Sequence, residues 1–284
     1  MKKYTGLFLI LLLAVMTACD KVEPPYVNTD TGGGPIDDVV QKILLEDYTG
    51  HDCVNCPTAA EEAHDLQNIY GEQLIIMAVH AGWFARPIPE EPALETYYGT
   101  ETGEAWYNYF QAFANPIGMV NRVQSTPGNH LVEWGEWGSE IAALAENTPE
   151  AKMTIENSFN TENSKLETTV TTQFLTSQSE PFSLVVCITQ DSIIDGQKNN
   201  DPNVGETPLI EHYVFMHMLR ASLNGDWGES LNNAEAPSTG TDYEKTYSVT
   251  FPEDWIPEHC HVVAFVYNES DKTILQVEEA HVIE

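Results

Sequence analysis

Leu44-Leu45-Glu46-Asp47-Tyr48-Thr49-Gly50-His51-Asp52-Cys53-Val54-Asn55-Cys56-Pro57 decides how this chain is read. An apolar run gives way to a short turn, and two cysteines then stand with two residues between them where a helix begins. Pro57 marks that beginning, because a missing N–H costs nothing in a first helical turn. A helix N-terminus stabilises a thiolate, and the thiolate is the reactive form of cysteine. The stretch therefore names a chemistry without naming a substrate.

The flanking sequence builds a unit around it. Residues 39–45 read as a buried strand and residues 57–70 as a helix, with Ala59, Ala60, Ala63, Leu66 and Ile69 on its apolar side and Gly71 at its end. Residues 74–80 form a near-continuous apolar run, as expected of a parallel strand covered on both faces. Strand, helix and strand with short joints make a βαβ unit. With a CxxC at its first turn, the unit resembles thioredoxin-like redox sites. Residues 103–113 read as a helix rich in aromatics, inserted before Asn115-Pro116 and a strand at 117–122. Thioredoxin-like proteins place a cis-proline at the start of such a strand, facing the cysteine pair, and Pro116 is the candidate here. Residues 134–147 supply a closing helix, ended by Pro149. Residues 38–150 are thus expected to form an α/β thioredoxin-like domain with a helical insertion.

Three readings of the cysteine pair stand open. It is a redox couple with Cys53 as nucleophile and Cys56 as resolving thiol, a structural disulfide, or part of a metal site with His51, His64 or His80. Zinc ordinarily needs a second matching ligand pair, which the chain lacks, and no Met-rich motif supports copper. Asp47 lies six residues before Cys53, the offset at which thioredoxins carry a buried aspartate that moves a proton from the resolving cysteine. Such an aspartate has a raised pKa and suits general-base work. A turn aspartate bonded to nearby N–H groups is the competing reading, and Glu46 competes as the inward carboxylate. With mixed charges nearby and none between the thiols, a moderate reductant or isomerase-like poise is expected.

Residue usage changes after position 150. Segments 153–159, 166–174, 182–189, 247–251, 261–267 and 274–277 are rich in Thr, Val and aromatics, separated by Asn, Ser, Gly and Pro. That pattern argues for an all-β antiparallel sandwich domain over residues 151–284, with a hairpin turn at 268–272. Cys187 and Cys260 read as two buried thiols more readily than as a disulfide. His212, His217, His259 and His261 read as structural histidines. Asp191, Asp195, Asn199 and Asp201 make an oxygen-rich loop whose spacing fits no EF-hand. No metal or cofactor is expected.

The N-terminus carries an address. Lys2-Lys3, an apolar run from Leu7 to Val15 and Met16-Thr17-Ala18-Cys19 describe a bacterial lipoprotein signal over residues 1–18, with Cys19 as the lipidated residue. Several acyl chains together give a stable anchor at the outer membrane. Residues 19–37, with Pro, Gly, Asp and Thr and little to bury, read as a tether. The formal net charge of the 284 residues is −32. An acidic surface of this size repels phosphate backbones and excludes nucleic-acid binding.

Three segments together resemble the outer membrane protein 28-related lipoproteins of Bacteroidetes: 46–57, 116–122, and 260–267 running into 275–279. Leu219-Arg220 with Gly225-Asp226-Trp227-Gly228 adds to the likeness. The resemblance implies a lipid-anchored thioredoxin-like domain followed by a β-sandwich, with no settled activity. Two functions follow as expectations. One is thiol–disulfide exchange on envelope protein thiols, with Cys53, Cys56, Asp47 and Pro116 as the site. The other is a surface lipoprotein that binds extracellular ligands or adheres, with the thioredoxin-like part as scaffold.

Overall fold

The computed structural model describes residues 39–283. The expected signal segment 1–18, the lipidation site Cys19 and the tether 19–37 lie outside them. Residues from Val39 onward make one compact unit. In chain order the elements are β1 (Ile43–Thr49), α1 (Cys56–Tyr70), β2 (Leu74–His80), α2 (Glu101–Tyr109), β3 (Ile117–Val120) and α3 (Trp137–Ala145). Then follow β4 (Ala151–Asn160), β5 (Lys165–Phe174), β6 (Phe182–Gln190), β7 (Ile193–Lys198), β8 (Leu209–Phe215), β9 (Met218–Ser222) and β10 (Glu229–Ser230). β11 (Asp242–Thr250), β12 (Cys260–Asn268) and β13 (Ile274–His281) complete the fold.

β1 and β2 pair in parallel through α1, and β3 returns antiparallel to β1. Pro57 sits in the first turn of α1, and Gly71 ends the helix at φ 56°, a left-handed conformation that glycine adopts freely. Ala59, Ala63 and Leu66 turn one stripe of α1 onto Ile43, Leu45, Leu74 and Ile76, where Trp137 and Ile141 of α3 join them. The opposite face of these strands packs on Trp106 of α2. Thr100 caps α2 by accepting the Gly103 N–H at 2.9 Å.

The expected separation at 150/151 falls between α3 and β4, yet the elements on its two sides share one sheet. Its order is β13-β12-β6-β9-β2-β1-β3, with β10 added beside β6. The junction is β2 with β9, where the Ala78 N–H donates to the His217 carbonyl at 2.9 Å. Two independent domains would leave the β2 edge unpaired, and an open edge invites pairing with other chains.

In place of a separate all-β domain, residues after 150 divide between that shared sheet and further antiparallel sheets. β4, β5 and β11 form a separate antiparallel sheet. In β5, Leu166, Thr168, Val170, Thr172 and Phe174 are buried and the residues between them more exposed, the period of a half-covered strand. This face packs on Leu184, Val186 and Ile188 of β6 and on Val262, Ala264 and Val266 of β12. The other faces of β6 and β12 look towards Trp106 through Val185, Cys187, Val263 and Phe265. β6 is therefore buried along its whole length.

The first strand begins four residues later than residues 39–45 suggest. Lys42 donates its N–H to Gln276 and Gln41 donates its side-chain amide to the Leu275 carbonyl, so this stretch is tied laterally to β13. Glu46 and Asp47 extend the strand although both carry carboxyls. Glu46 and Arg122 are fully buried and form a bidentate pair, with both N–H···O distances 2.7 Å. The Arg122 guanidinium lies 4.8 Å from the Trp106 ring centre and 4.9 Å from that of Phe265. Burial alone would lower its pKa, and the Glu46 carboxylate outweighs that effect, so the guanidinium stays charged.

Removing one partner of such a pair leaves an uncompensated buried charge. Arg122→Met is expected to cost about 3–5 kcal/mol of unfolding free energy in urea titrations. The double change Glu46→Leu with Arg122→Met should recover most of it. A single-variant loss below about 1 kcal/mol would show that the pair does not organise this core.

Candidate functional site

The cysteine loop is built by β1 and the start of α1. Cys53 and Cys56 form a disulfide with their Cα atoms 5.4 Å apart. The Cys53 N–H donates to the Gly50 carbonyl at 3.0 Å, and Cys56 opens α1. Gly50 is required by a close approach, because a Cβ there would lie 2.4 Å from the Phe84 carbonyl carbon. The Asp52 N–H donates to that same Phe84 carbonyl at 3.0 Å. His51 reaches the Arg86 carbonyl through Nε2 at 2.9 Å. The Asn115–Pro116 bond, entering β3, is cis.

Both cysteines are only 2% exposed. The cover is a strap from the distant β7 and the residues after it. Gln197 donates from Nε2 to the Cys53 carbonyl at 2.9 Å. The Lys198 N–H donates to the His51 carbonyl at 2.8 Å, and the Asn200 N–H to the Val54 carbonyl at 3.1 Å. Lys198 adds ion pairs to Asp52 at 2.7 Å and Glu91 at 3.1 Å. Asn200 also meets the Asn55 side chain at 2.8 Å. The strap runs along the cysteine loop backbone, leaving Val54 and Asn55 exposed between the two buried cysteines.

Asp47 lies on the α1 side of β1, in phase with Leu45 and Thr49, whereas Glu46 points the other way to Arg122. Asp47 is 3% exposed and its Oδ1 has no hydrogen-bond partner. Burial pushes this carboxyl up to about 7. The competing idea of a turn aspartate bonded to backbone N–H groups does not describe a mid-strand residue with an orphaned oxygen.

Beside the disulfide, between α1 and β8, lies a cavity of about 340 Å³. Cys56 and Thr49 reach it at one end and Ala60, Ala63 and Ala78 leave it room. Tyr213, Phe215 and His80 close it in, and Glu61, His64, Gln197 and His217 complete its polar lining. His80 is 2% exposed, both its ring nitrogens lack partners, and burial lowers its pKa to about 3. Tyr98 and Phe215 hold the imidazole by edge contacts, at 5.7 and 5.3 Å between ring centres.

Several other expected residues lie apart from this site. Cys187 and Cys260 are free and buried, and burial pushes each thiol up to about 12, which removes them from thiolate chemistry. The oxygen-rich loop is divided among local tasks. Asp191 accepts the His217 N–H at 2.6 Å, Asp195 accepts the Tyr98 hydroxyl at 2.6 Å, and Asn199 bonds the carbonyls of Asp201 and Gly205. Among the described residues, no three His, Cys, Asp or Glu side chains gather to hold a metal ion, and no helix is long and apolar enough to cross a membrane. The disulfide takes both sulfurs out of any ligand set. Gln197, Lys198, Asn200, Tyr213 and Phe215 escaped sequence reasoning, because no local pattern ties β7 and β8 to a turn some 140 residues earlier in the chain.

The geometry defines a mixed α/β protein with a many-stranded sheet, further antiparallel sheets and an enclosed CxxC disulfide beside a cavity. The profile of the outer membrane protein Omp28 family matches residues 103–284, and the chain belongs to that family. Membership places it at the outer membrane of the bacterial cell envelope. HBP35 of Porphyromonas gingivalis has a similar structure, with a TM-score of 0.63 at 15% identity, covering 86% of this chain and 76% of that one. A domain of the outer membrane lipoprotein Omp28 from Porphyromonas gingivalis is 21% identical over 48% of this chain and 90% of that domain, with a TM-score of 0.30. No curated protein matches the chain in sequence.

Two outcomes follow from this geometry. Asp47 binds its proton more tightly folded than unfolded, so its contribution to stability is full below about pH 4 and is lost as pH rises through about 7. Asp47→Asn should remove that loss and gain roughly 4 kcal/mol or less at pH 8 relative to the parent, with little difference at pH 4. Glu279, also pushed up to about 7 by burial, cancels in the comparison because both proteins keep it. Urea titrations at the two pH values decide the matter. Separately, Gln197→Ala removes the bond to the Cys53 carbonyl, which keeps the Cys56 N–H at 3.3 Å, and should cost about 0.5–1.5 kcal/mol. It should also speed reduction of the disulfide by dithiothreitol, followed by alkylation and mass spectrometry.

Proposed function

We propose that the protein is a lipid-anchored binding protein of the outer membrane, held by Cys19 and built on a thioredoxin-like scaffold. Cys53–Cys56 serves it as a structural clasp. The observation that carries this reading is the strap. Thiol–disulfide exchange requires an incoming thiolate to reach a sulfur and a mixed disulfide to form with its partner. Here the would-be nucleophile Cys53 is 2% exposed, and Gln197, Lys198 and Asn200 bond the backbone around it. A folded envelope protein offering a thiol would have to reach a sulfur on a loop whose backbone is already held by the strap. The cavity next to Cys56 gives the binding reading a place to act.

One observation favours the second reading, exchange on envelope thiols. Asp47 sits at the thioredoxin offset with a carboxyl titrating near 7, where it could take a proton from Cys56. A single experiment separates the two. The unit Val39–Glu284 is equilibrated in glutathione or dithiothreitol buffers, and its thiols are counted by alkylation. We expect the pair to stay oxidised until below about −300 mV, with no catalysis of insulin reduction by dithiothreitol. Cys53→Ser with Cys56→Ser should remain folded, since so short a loop contributes only about 2 kcal/mol. A reversible couple between about −120 and −270 mV, with Cys53 trapped in mixed disulfides, would overturn the clasp and establish exchange.

A further inference from the structure

We propose that the cavity between α1 and β8 is a binding site for a small organic amine: a protonated nitrogen on a compact apolar or aromatic body. This deepens the binding reading above by naming the site and the ligand class.

Glu61 is the one carboxylate among the cavity's lining residues, which include no lysine or arginine. His80 lines it, is 2% exposed and has both ring nitrogens unpaired. An unpaired buried polar group is costly, so a site that leaves one open awaits a partner. Being uncharged, His80 offers one nitrogen lone pair to a donor. Glu61 lines the cavity from α1. Asp47, with its own orphaned Oδ1, stands behind the wall in register with the lining residue Ala78. Both carboxylates act on the Tyr213 hydroxyl, which places that ring in a negative field.

Positive charge is correspondingly scarce. No lysine or arginine lines the cavity. Burial holds His217 uncharged against the pull of Asp191, 3.5 Å from its Nδ1. Arg220, which repels a proton from His80, is itself paired with Asp254 at 2.6 Å. An anion entering would meet no lysine or arginine and, besides the histidines, only Glu61, whereas an ammonium would meet Glu61, a neutral imidazole and, behind the wall, the Asp47 carboxyl, whose ionised form it would favour.

Shape and surface complete the match. Ala60, Ala63 and Ala78 clear the space, and a volume of about 340 Å³ falls at the small end of ligand pockets. Tyr213 and Phe215 offer aromatic surface that attracts a cation as well as an apolar body. Val214 and Met216, 47% and 42% exposed, stand where the cavity meets solvent.

The test uses calorimetric titration of the unit Val39–Glu284 with three probes of nearly equal size: phenethylamine, 2-phenylethanol and phenylacetate. We expect saturable binding of phenethylamine with a Kd below about 1 mM, at least about tenfold weaker binding of the alcohol, and none of the acid. Glu61→Gln changes an exposed side chain and spares the fold; it and Asp47→Asn should each weaken the amine about five- to tenfold while leaving the alcohol unchanged. Absence of saturable amine binding, preference for the acid, or amine binding indifferent to both substitutions would overturn the proposal. The exchange assay reads the clasp independently, so an active redox couple with amine binding intact refutes only the earlier reading.

Discussion

The alternation of a β-strand sends adjacent residues to opposite faces, and in β1 it separates two carboxyls with opposite fates. Glu46 faces the aromatic side of the sheet, where Arg122 grips it with two hydrogen bonds among Trp106, Phe265 and their neighbours. Asp47 faces α1, where no cation answers it and burial keeps its proton on near neutrality. A slip of one residue would exchange the two, placing an unpaired carboxylate among aromatics and stranding Arg122. The pair thus fixes the register of the strand that carries the cysteine loop. It also links segments far apart in sequence, because Arg122 follows β3 and its aromatic neighbours come from α2 and β12.

The second organising feature is that the sheet does not stop at β2. β9 covers the edge that a free-standing βαβ unit would expose, and β6, β12 and β13 continue the sheet beyond it. The same stretch of chain that makes this junction supplies the β7–β8 hairpin, which walls the cavity and straps the cysteine loop. Enclosure of the disulfide, formation of the cavity and fusion of the two halves are therefore one structural event. In the binding reading proposed above this framework carries a pocket, in line with the rule that sites rather than folds carry function.

Much of this was legible from local patterns. The unbroken run in 74–80, the proline and glycine bounding α1 and the alternation in β5 each reflect short-range physics, and each element appears within a residue or so of its expected place. Asp47 was singled out by its offset from Cys53, although its competition with Glu46 needed the strand's phase to resolve. The strap was not legible. Ile193-Ile194-Asp195-Gly196-Gln197-Lys198 is too polar to announce a strand, and Gly196 is small because a Cβ there would lie 2.2 Å from the Ala93 carbonyl oxygen, a long-range contact. The division at 150/151 marks a true change in residue usage, but composition cannot reveal that strands on its two sides will pair. Local sequence encodes elements, and their lateral neighbours depend on edges that only the assembled sheet presents.

The distance along the chain between the cysteines and their cover also has a meaning in time. Gln197 lies 144 residues after Cys53, and a chain emerges from synthesis N-terminus first. For that interval the cysteine loop exists without the Gln197, Lys198 and Asn200 contacts that hold its backbone in the folded chain. The order of the sequence thus sets when the loop gains its cover: late, and only after the whole of β7 has been made.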